Sequence, residues 1–186
     1  MSESEKYLQA IDKYGNHFSP AEFRTREGVD MTDLDYDFFV QLLWFRQWAG
    51  FPMLITSTKR PTGDDVHTKG LAADLIIFED WMEKVLPPKR QWLLATTWPF
   101  FGVGIYFDWH FTDDNGHSKP AIGLHVDKLL PSQGDRPRRW LRVEAEIDGQ
   151  TEKLYYYQTT INGRFYNKKT QKTLELANVI KKVWQA

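Results

Sequence analysis

The sequence predicts an α+β fold: a small antiparallel sheet with flanking helices, followed by a C-terminal β-meander and helix. Three observations carry this. Apolar residues recur at helical spacing across residues 4–49 and again after Pro87-Pro88. Short apolar runs bounded by polar or glycine-containing loops, at 52–57, 75–78, 102–107 and around His125, read as strands. Asp148-Gly149 and Asn162-Gly163 then separate three β-rich runs, a strong hairpin signal.

Taken in order, residues 4–14 form a short helix with Tyr7, Leu8 and Ile11 on one face. Ser19-Pro20-Ala21-Glu22 is a helix start, with Ser as cap, Pro at the first helical position and Glu three after the cap. That helix is short and ends by Gly28. Asp33 is placed to cap the next, in which Leu34, Phe38, Leu42, Phe45 and Ala49 share one face and Gly50 is the stop. The strand at 52–57 and the strand at 75–78 come next, then a helical stretch from Glu79 to Leu86. Pro87-Pro88 opens a further helix that stops before Pro99. Gly102 to Phe107 is a strand, Asp108 to Pro120 a polar loop turning at Asp114-Asn115-Gly116, and Pro131 to Pro137 a loop. From Leu141 the pattern changes to hairpins: Val143–Ile147, Lys153–Thr160 and Arg164–Tyr166. The end, 171–185, is an amphipathic helix with Leu174, Ala177, Ile180 and Trp184 on one stripe. A boundary near 141 therefore separates a core domain, 1–140, from a C-terminal module, 141–186.

The 186 residues suit one domain with a small appendage, and 41% hydrophobic content with 15% aromatic supplies a core. A net charge of -1 argues against nucleic acid or an anionic membrane as partner. The absence of cysteine excludes disulfides, thiolate metal sites and a cysteine nucleophile. No run approaches the ~18 apolar residues of a membrane helix, and no secretory leader follows Met1.

The chemistry concentrates around the stretch Ile55 to Asp74. His67 sits in a polar loop, Asp74 opens the next apolar run, and Gly70, Ala72 and Ala73 let the chain turn tightly between them. His125 lies in a strand some fifty positions on. Imidazole nitrogen and carboxylate oxygen suit zinc, and two His with one carboxylate leave a fourth position open for water. His67, Asp74 and His125 are thus the candidate metal ligands. Asp127 shares the face of His125 in a strand, either as general base or as a partner orienting a ligand. Arg60 is placed to clamp a substrate carboxylate or an oxyanion, or to pair with Asp64 or Asp65 on the surface. A rival metal cluster, His110, Asp113, Asp114 and His117, sits in turn-forming sequence. Tyr155-Tyr156-Tyr157 alternates faces along a strand and reads as half core, half exposed edge rather than as a sugar-stacking platform.

These residues resemble those of the M15 metallopeptidases, the D-alanyl-D-alanine carboxypeptidases and phage L-alanyl-D-glutamate endopeptidases. The family's Ser-Gly-Tyr-Arg and Ser-x-His-x-x-Gly-x-Ala-x-Asp motifs are matched by Ser57-Thr58-Lys59-Arg60 and by His67 through Gly70 and Ala72 to Asp74. The Gly-x-Gly-x-Tyr strand is matched at Gly102, Gly104 and Tyr106, and the His-Val-Asp strand with a trailing Arg-Trp at His125-Val126-Asp127 and Arg139-Trp140. The entry His17 to Phe23 is similar as well, so the resemblance spans about residues 17–140. It implies a hedgehog/DD-peptidase-like fold and a zinc site at His67, Asp74 and His125. It implies a substrate or oxyanion role for Arg60 and peptidoglycan stem peptides as substrate; Asp127 is the nearest carboxylate for a catalytic role beside Arg60, and Arg60, Ser57 and Tyr106 are the candidate substrate contacts. Departures are Asp65 for the Ser two before the first His, Lys59 for Tyr, and Ile122 where several branches carry an acid three before the second His. The expected enzyme is a zinc peptidoglycan hydrolase, present in the host cytoplasm before lysis or associated with a virion. Residues 141–186 would contact other virion or lysis proteins. A non-catalytic virion component or a wall-binding module with the same fold is the alternative.

Overall fold

The structure is a computed structural model and describes residues 1–14, 18–128, 136–158 and 164–175. The N-terminal helix α1, Glu3–Tyr14, carries Glu3 and Glu5 in its first turn and Lys13 in its last, charges that complement the helix dipole. Its buried face is Tyr7, Ala10 and Ile11. The segment capped by Ser19 is a single 3-10 turn, Pro20–Phe23, with the expected capping box closed by Glu22. Helix α2, Tyr36–Ala49, is capped by Asp35, whose carboxylate accepts from the Phe38 N–H at 3.0 Å. Asp33, the cap expected from sequence, instead closes a capping box on the 3-10 turn Met31–Asp33. Gly50 ends α2 in the left-handed conformation at φ 70°. Helix α3, Pro88–Thr97, begins on proline and stops before Pro99.

The strands are β1 (Met53–Ser57), β2 (Ala72–Asp80), β3 (Lys84–Val85), β4 (Gly102–Thr112), β5 (Ser118–Asp127), β6 (Arg138–Ile147), β7 (Gln150–Gln158), β8 (Arg164–Tyr166) and β9 (Thr173–Glu175). They form one sheet in the order β1-β2-β5-β4-β6-β7-β8-β9, with β3 paired to β2. All pairings are antiparallel except β4 with β6. The fold is therefore α+β with a mostly antiparallel open sheet. β6 runs through position 141 without interruption and pairs with β4 from Gly102↔Arg138 to Tyr106↔Arg142. The strands after 141 thus continue the same sheet.

One face of the sheet packs on the helices. Ala73, Leu75 and Ile77 of β2, Val103 and Ile105 of β4, Leu124 and Val126 of β5, Leu141, Leu154 and Tyr156 join Phe23, Phe38, Phe39, Leu42, Leu43 and Phe45 in one core. Because side chains alternate along a strand, the intervening residues stand on the opposite face. That face carries Asp74, Tyr106, His125, Asp127, Trp140 and Arg142.

Three further expectations are corrected. Glu79 to Leu86 is not a helix: β2 continues to Asp80, Met82 turns at φ 56°, and Val85 pairs back on Phe78. Pairing with the existing sheet outweighs a modest helical propensity there. The loop Asp108 to Pro120 is mostly strand, the β4–β5 hairpin. Phe111 and Ala121 pack with Ile76 and Phe78 in a small second cluster, while the exposed polar side chains conceal the alternation in the sequence. At the C-terminal end, Thr173–Glu175 pairs with β8 as a strand rather than starting a helix. The remainder of that expected helix, the Asn162-Gly163 turn, most of the loop Pro131 to Pro137, and His17 lie outside the described residues.

Candidate metal centre

The loop between β1 and β2 delivers His67 to the sheet. Gly70 makes this possible: its φ is +70°, and a Cβ there would lie 2.3 Å from the Asp33 carbonyl oxygen. The loop is tied down by Gly70 N–H to His67 O at 3.0 Å and Asp35 N–H to Gly70 O at 2.9 Å. Ala72 and Ala73, expected in a tight turn, are already in β2. Their register with β5, Ala73↔Val126 and Asp74↔His125, sets Asp74 directly beside His125.

His67 Nε2, Asp74 Oδ1 and His125 Nδ1 form a triangle. Its edges are 3.3 Å between the two nitrogens, 3.5 Å from His67 to Asp74 and 2.8 Å from His125 to Asp74. All three residues are buried. The outward nitrogens fix the tautomers. His67 Nδ1 lies 2.6 Å from the Thr58 carbonyl oxygen, which only accepts, so Nδ1 carries the proton. His125 Nε2 lies 3.1 Å from Asp127 Oδ2, so it carries the proton there. In their neutral forms both imidazoles therefore aim a lone pair at the Asp74 carboxylate oxygen. Three acceptors facing one another at these distances are satisfied either by a metal ion between them or by a proton on one imidazole. Four ligands at about 2.05 Å around a tetrahedral metal stand about 3.3 Å apart, the scale of this triangle. The group can hold a metal ion, and it is the one such group among the described residues.

The electrostatics agree. For His125, burial is the largest influence and works downward, but the Asp127 and Asp74 carboxylates outweigh it and raise the imidazole to about 9. For Asp74, burial works upward, and the hydrogen bonds and charges of His125 and His67 outweigh it, holding the carboxyl well below its ordinary value. Without a metal, a proton on His125 takes the place of the cation.

Arg60 bridges two carboxylates, Nη1 to Asp65 at 3.2 Å and Nη2 to Asp74 at 3.4 Å, and is partly exposed. Asp64 pairs with Lys69 instead. Asp127 is fully buried on the far nitrogen of His125, where its Oδ2 also accepts from Arg138 at 2.8 Å. Tyr106 lies 6.2 Å from the His125 ring, with the Arg142 guanidinium 3.9 Å over its face. Its phenol is pushed well above its ordinary value, first by burial and then by the Asp74 charge, and remains a proton donor. Ser57 is buried beside Asp74 in the β1–β2 pairing and does not line the cleft. Ile122 packs against the helix-side core, so that position does not face the metal group.

Above the triangle opens a cleft of about 360 Å³, lined on one side by Arg60, Asp65 and His67 and on the other by Trp140, Tyr155 and Tyr157. Arg138 and Arg142 line it too. The sequence offered one signal for these: alternate residues of β6 and β7 share a face, but which face becomes visible only with the β4–β6 pairing. The rival cluster is turn chemistry. Asp113 accepts from the backbone N–H groups of Asn115 and His117 and pairs with Lys119 at 2.9 Å, and His110 is exposed.

Gly102 and Gly104 clear space for this arrangement. A Cβ on Gly102 would lie 2.0–2.5 Å from the Asp127 carboxylate atoms, and one on Gly104 2.3–2.7 Å from the Trp140 indole. Gly102→Ala is therefore expected to displace Asp127 from His125. Stability should fall by about 1–3 kcal/mol and metal affinity by roughly 10–100-fold. Chemical denaturation and competition against a chromophoric chelator measure the two; a variant with wild-type values in both removes this account of the glycine.

No family model matches the chain, and neither a curated protein nor a solved structure matches it.

Proposed function

We propose that the chain is a zinc-dependent peptidase acting on peptidoglycan stem peptides, with zinc held by His67, Asp74 and His125. The observation that carries it is the buried triangle of two imidazole lone pairs and one carboxylate oxygen with edges of 2.8–3.5 Å. The donor set, N, N and O, suits zinc, and three protein ligands leave one position open, the pattern of a catalytic rather than a structural site. The substrate class rests on the ordered motif resemblance.

Bound there, zinc supplies Lewis acidity and a water whose pKa is lowered to roughly 7. The chain's own residues do the rest. Asp127 is a positioning residue: it fixes the His125 tautomer from behind, while Arg138 neutralises it. Asp65, half exposed, is the carboxylate that lines the cleft apart from the metal group, and it takes the proton of the attacking water. Arg60 holds Asp65 and, with the Tyr106 phenol, donates to the carbonyl oxygen as negative charge develops on it. The C–N bond then breaks and the proton on Asp65 passes to the leaving amine. The enzyme would reach the wall at lysis or on a virion, and residues 141–186 would hold any virion or lysis partner.

Fragments released from purified peptidoglycan, analysed by mass spectrometry with and without a zinc chelator, test the proposal. New peptide termini that vanish with chelator are expected, and Asp65→Asn should lower kcat by roughly 10²–10⁴-fold with zinc content unchanged. Folded, zinc-loaded protein that releases nothing from several wall types overturns the peptidase reading. The outcome would then favour a non-catalytic component of the same fold.

A further inference from the structure

The pairing registers place a single row of residues across the sheet, at right angles to the strands: Asp74↔His125, His125↔Gly104, Gly104↔Trp140 and Trp140↔Tyr157. The neighbouring row runs Gly123↔Tyr106, Tyr106↔Arg142 and Arg142↔Tyr155. Three inter-strand steps separate His125 from Tyr157, about 14 Å at roughly 4.8 Å per strand. The metal group thus stands at one end of a trough, and Tyr155 and Tyr157 stand at the other. Trp140 lies between them, with its ring 4.9 Å from that of His125.

The two tyrosines differ from the rest of the wall. Their rings are near-parallel, 17° apart with centroids at 6.5 Å, and they are 38% and 45% exposed. Tyr156, between them, is buried in the core. Tyr155 and Tyr157 also line a second hollow of about 180 Å³ with Lys153, Lys168 and Lys169, so they form a ridge between two depressions. The cations beside them on the metal side are already occupied: Arg142 by Asp108 at 2.8 Å and Arg138 by Asp127 at 2.8 Å. On the metal side the ridge therefore presents ring faces rather than a free guanidinium, and the lysines stand on its far side. An open wall of aromatic faces with hydroxyl tips suits a ligand whose rings have apolar faces and polar edges. A buried aliphatic side chain would need an enclosed pocket instead.

We infer that Tyr155 and Tyr157 form a saccharide-binding subsite that holds the glycan-bearing end of the substrate about 14 Å from the metal group. The inference deepens the proposed function and rests on it for the word substrate. It also assigns the β6–β7 hairpin to the cleft itself, as the part that sets which substrates are held.

The test uses the full chain, zinc-loaded, and an N-acetylglucosamine tetramer as probe. Titration followed by NMR should shift the ring protons of Tyr155 and Tyr157. Tyr155→Ala/Tyr157→Ala should raise Kd by about tenfold or more, and Tyr155→Phe/Tyr157→Phe should keep most of the affinity. Zinc content reports whether the alanine variant folds; if it does not, the wild-type ring shifts decide. No ring shifts at millimolar tetramer, or equal Kd in folded alanine variant and wild type, overturns the subsite. Wild-type hydrolysis of wall peptides without saccharide binding removes this inference and leaves the peptidase. Tyrosine-dependent binding without hydrolysis does the reverse.

Discussion

Asp74→Asn is expected to lower zinc affinity by roughly 10²–10³-fold and to abolish hydrolysis. A four-ligand structural zinc site is worth about 10–16 kcal/mol, so one ligand accounts for about 2.5–4 kcal/mol. The change keeps the shape of the side chain and removes its charge. Asp74 is fully buried, with Oδ1 in the triangle and Oδ2 facing Arg60. An amide there must turn its NH₂ either toward the lone pair of His125 or toward the Arg60 guanidinium. The first loses the metal oxygen, and the second sets donor against donor. Competition with a chromophoric chelator gives the affinity, and an affinity within threefold of wild type would take Asp74 out of the ligand set.

Zinc binding to the metal-free protein is expected to displace a proton from His125 and to weaken about tenfold for each pH unit below about 9. The folded-state value lies above the unfolded value of about 6.5. The proton on His125 therefore stabilises metal-free protein fully below pH ~6.5, and that contribution is lost as pH rises through about 9. The difference between the two values corresponds to ~3 kcal/mol. Asp74, held well below the usual carboxylate range, stays ionised throughout this window. Zinc-loaded protein has no proton at His125 Nδ1 and should not show the loss. The melting-temperature gap between the two forms should therefore widen from pH 6.5 to 9. Calorimetric titration in buffers of different ionisation enthalpy counts the proton directly, and an enthalpy independent of buffer at pH 7.5 would contradict the pairing of His125 with both carboxylates.

Much of the site was legible because its residues sit at strand positions whose alternation is strict. His125 and Asp127 share a face, and the short apolar run after Asp74 marks a strand. Helix α2 declared itself through Gly50 and its apolar spacing, although its cap fell on Asp35, because Asp33 was engaged one turn earlier. The cleft's second wall was not legible. Trp140, Arg142, Tyr155 and Tyr157 approach the metal group only because β6 lies parallel to β4 on the side away from β5, and no local pattern encodes that neighbour. The role of Asp127 was open in the sequence for the same kind of reason. Sharing a face with His125 did not say whether it met substrate or the back of the imidazole, and Arg138 is what holds it behind. The β4–β5 hairpin read as loop because its strands leave the helix layer and bury few side chains.

The central claim is that one zinc sits between His67 Nε2, Asp74 Oδ1 and His125 Nδ1. Crystals of zinc-loaded protein, measured on both sides of the zinc absorption edge, test it most directly. The account predicts one strong anomalous peak at about 2.0–2.2 Å from each of those three atoms, with Asp127 still bound to His125 Nε2. A zinc-saturated crystal with no peak there, or with its peak on other side chains, would contradict it.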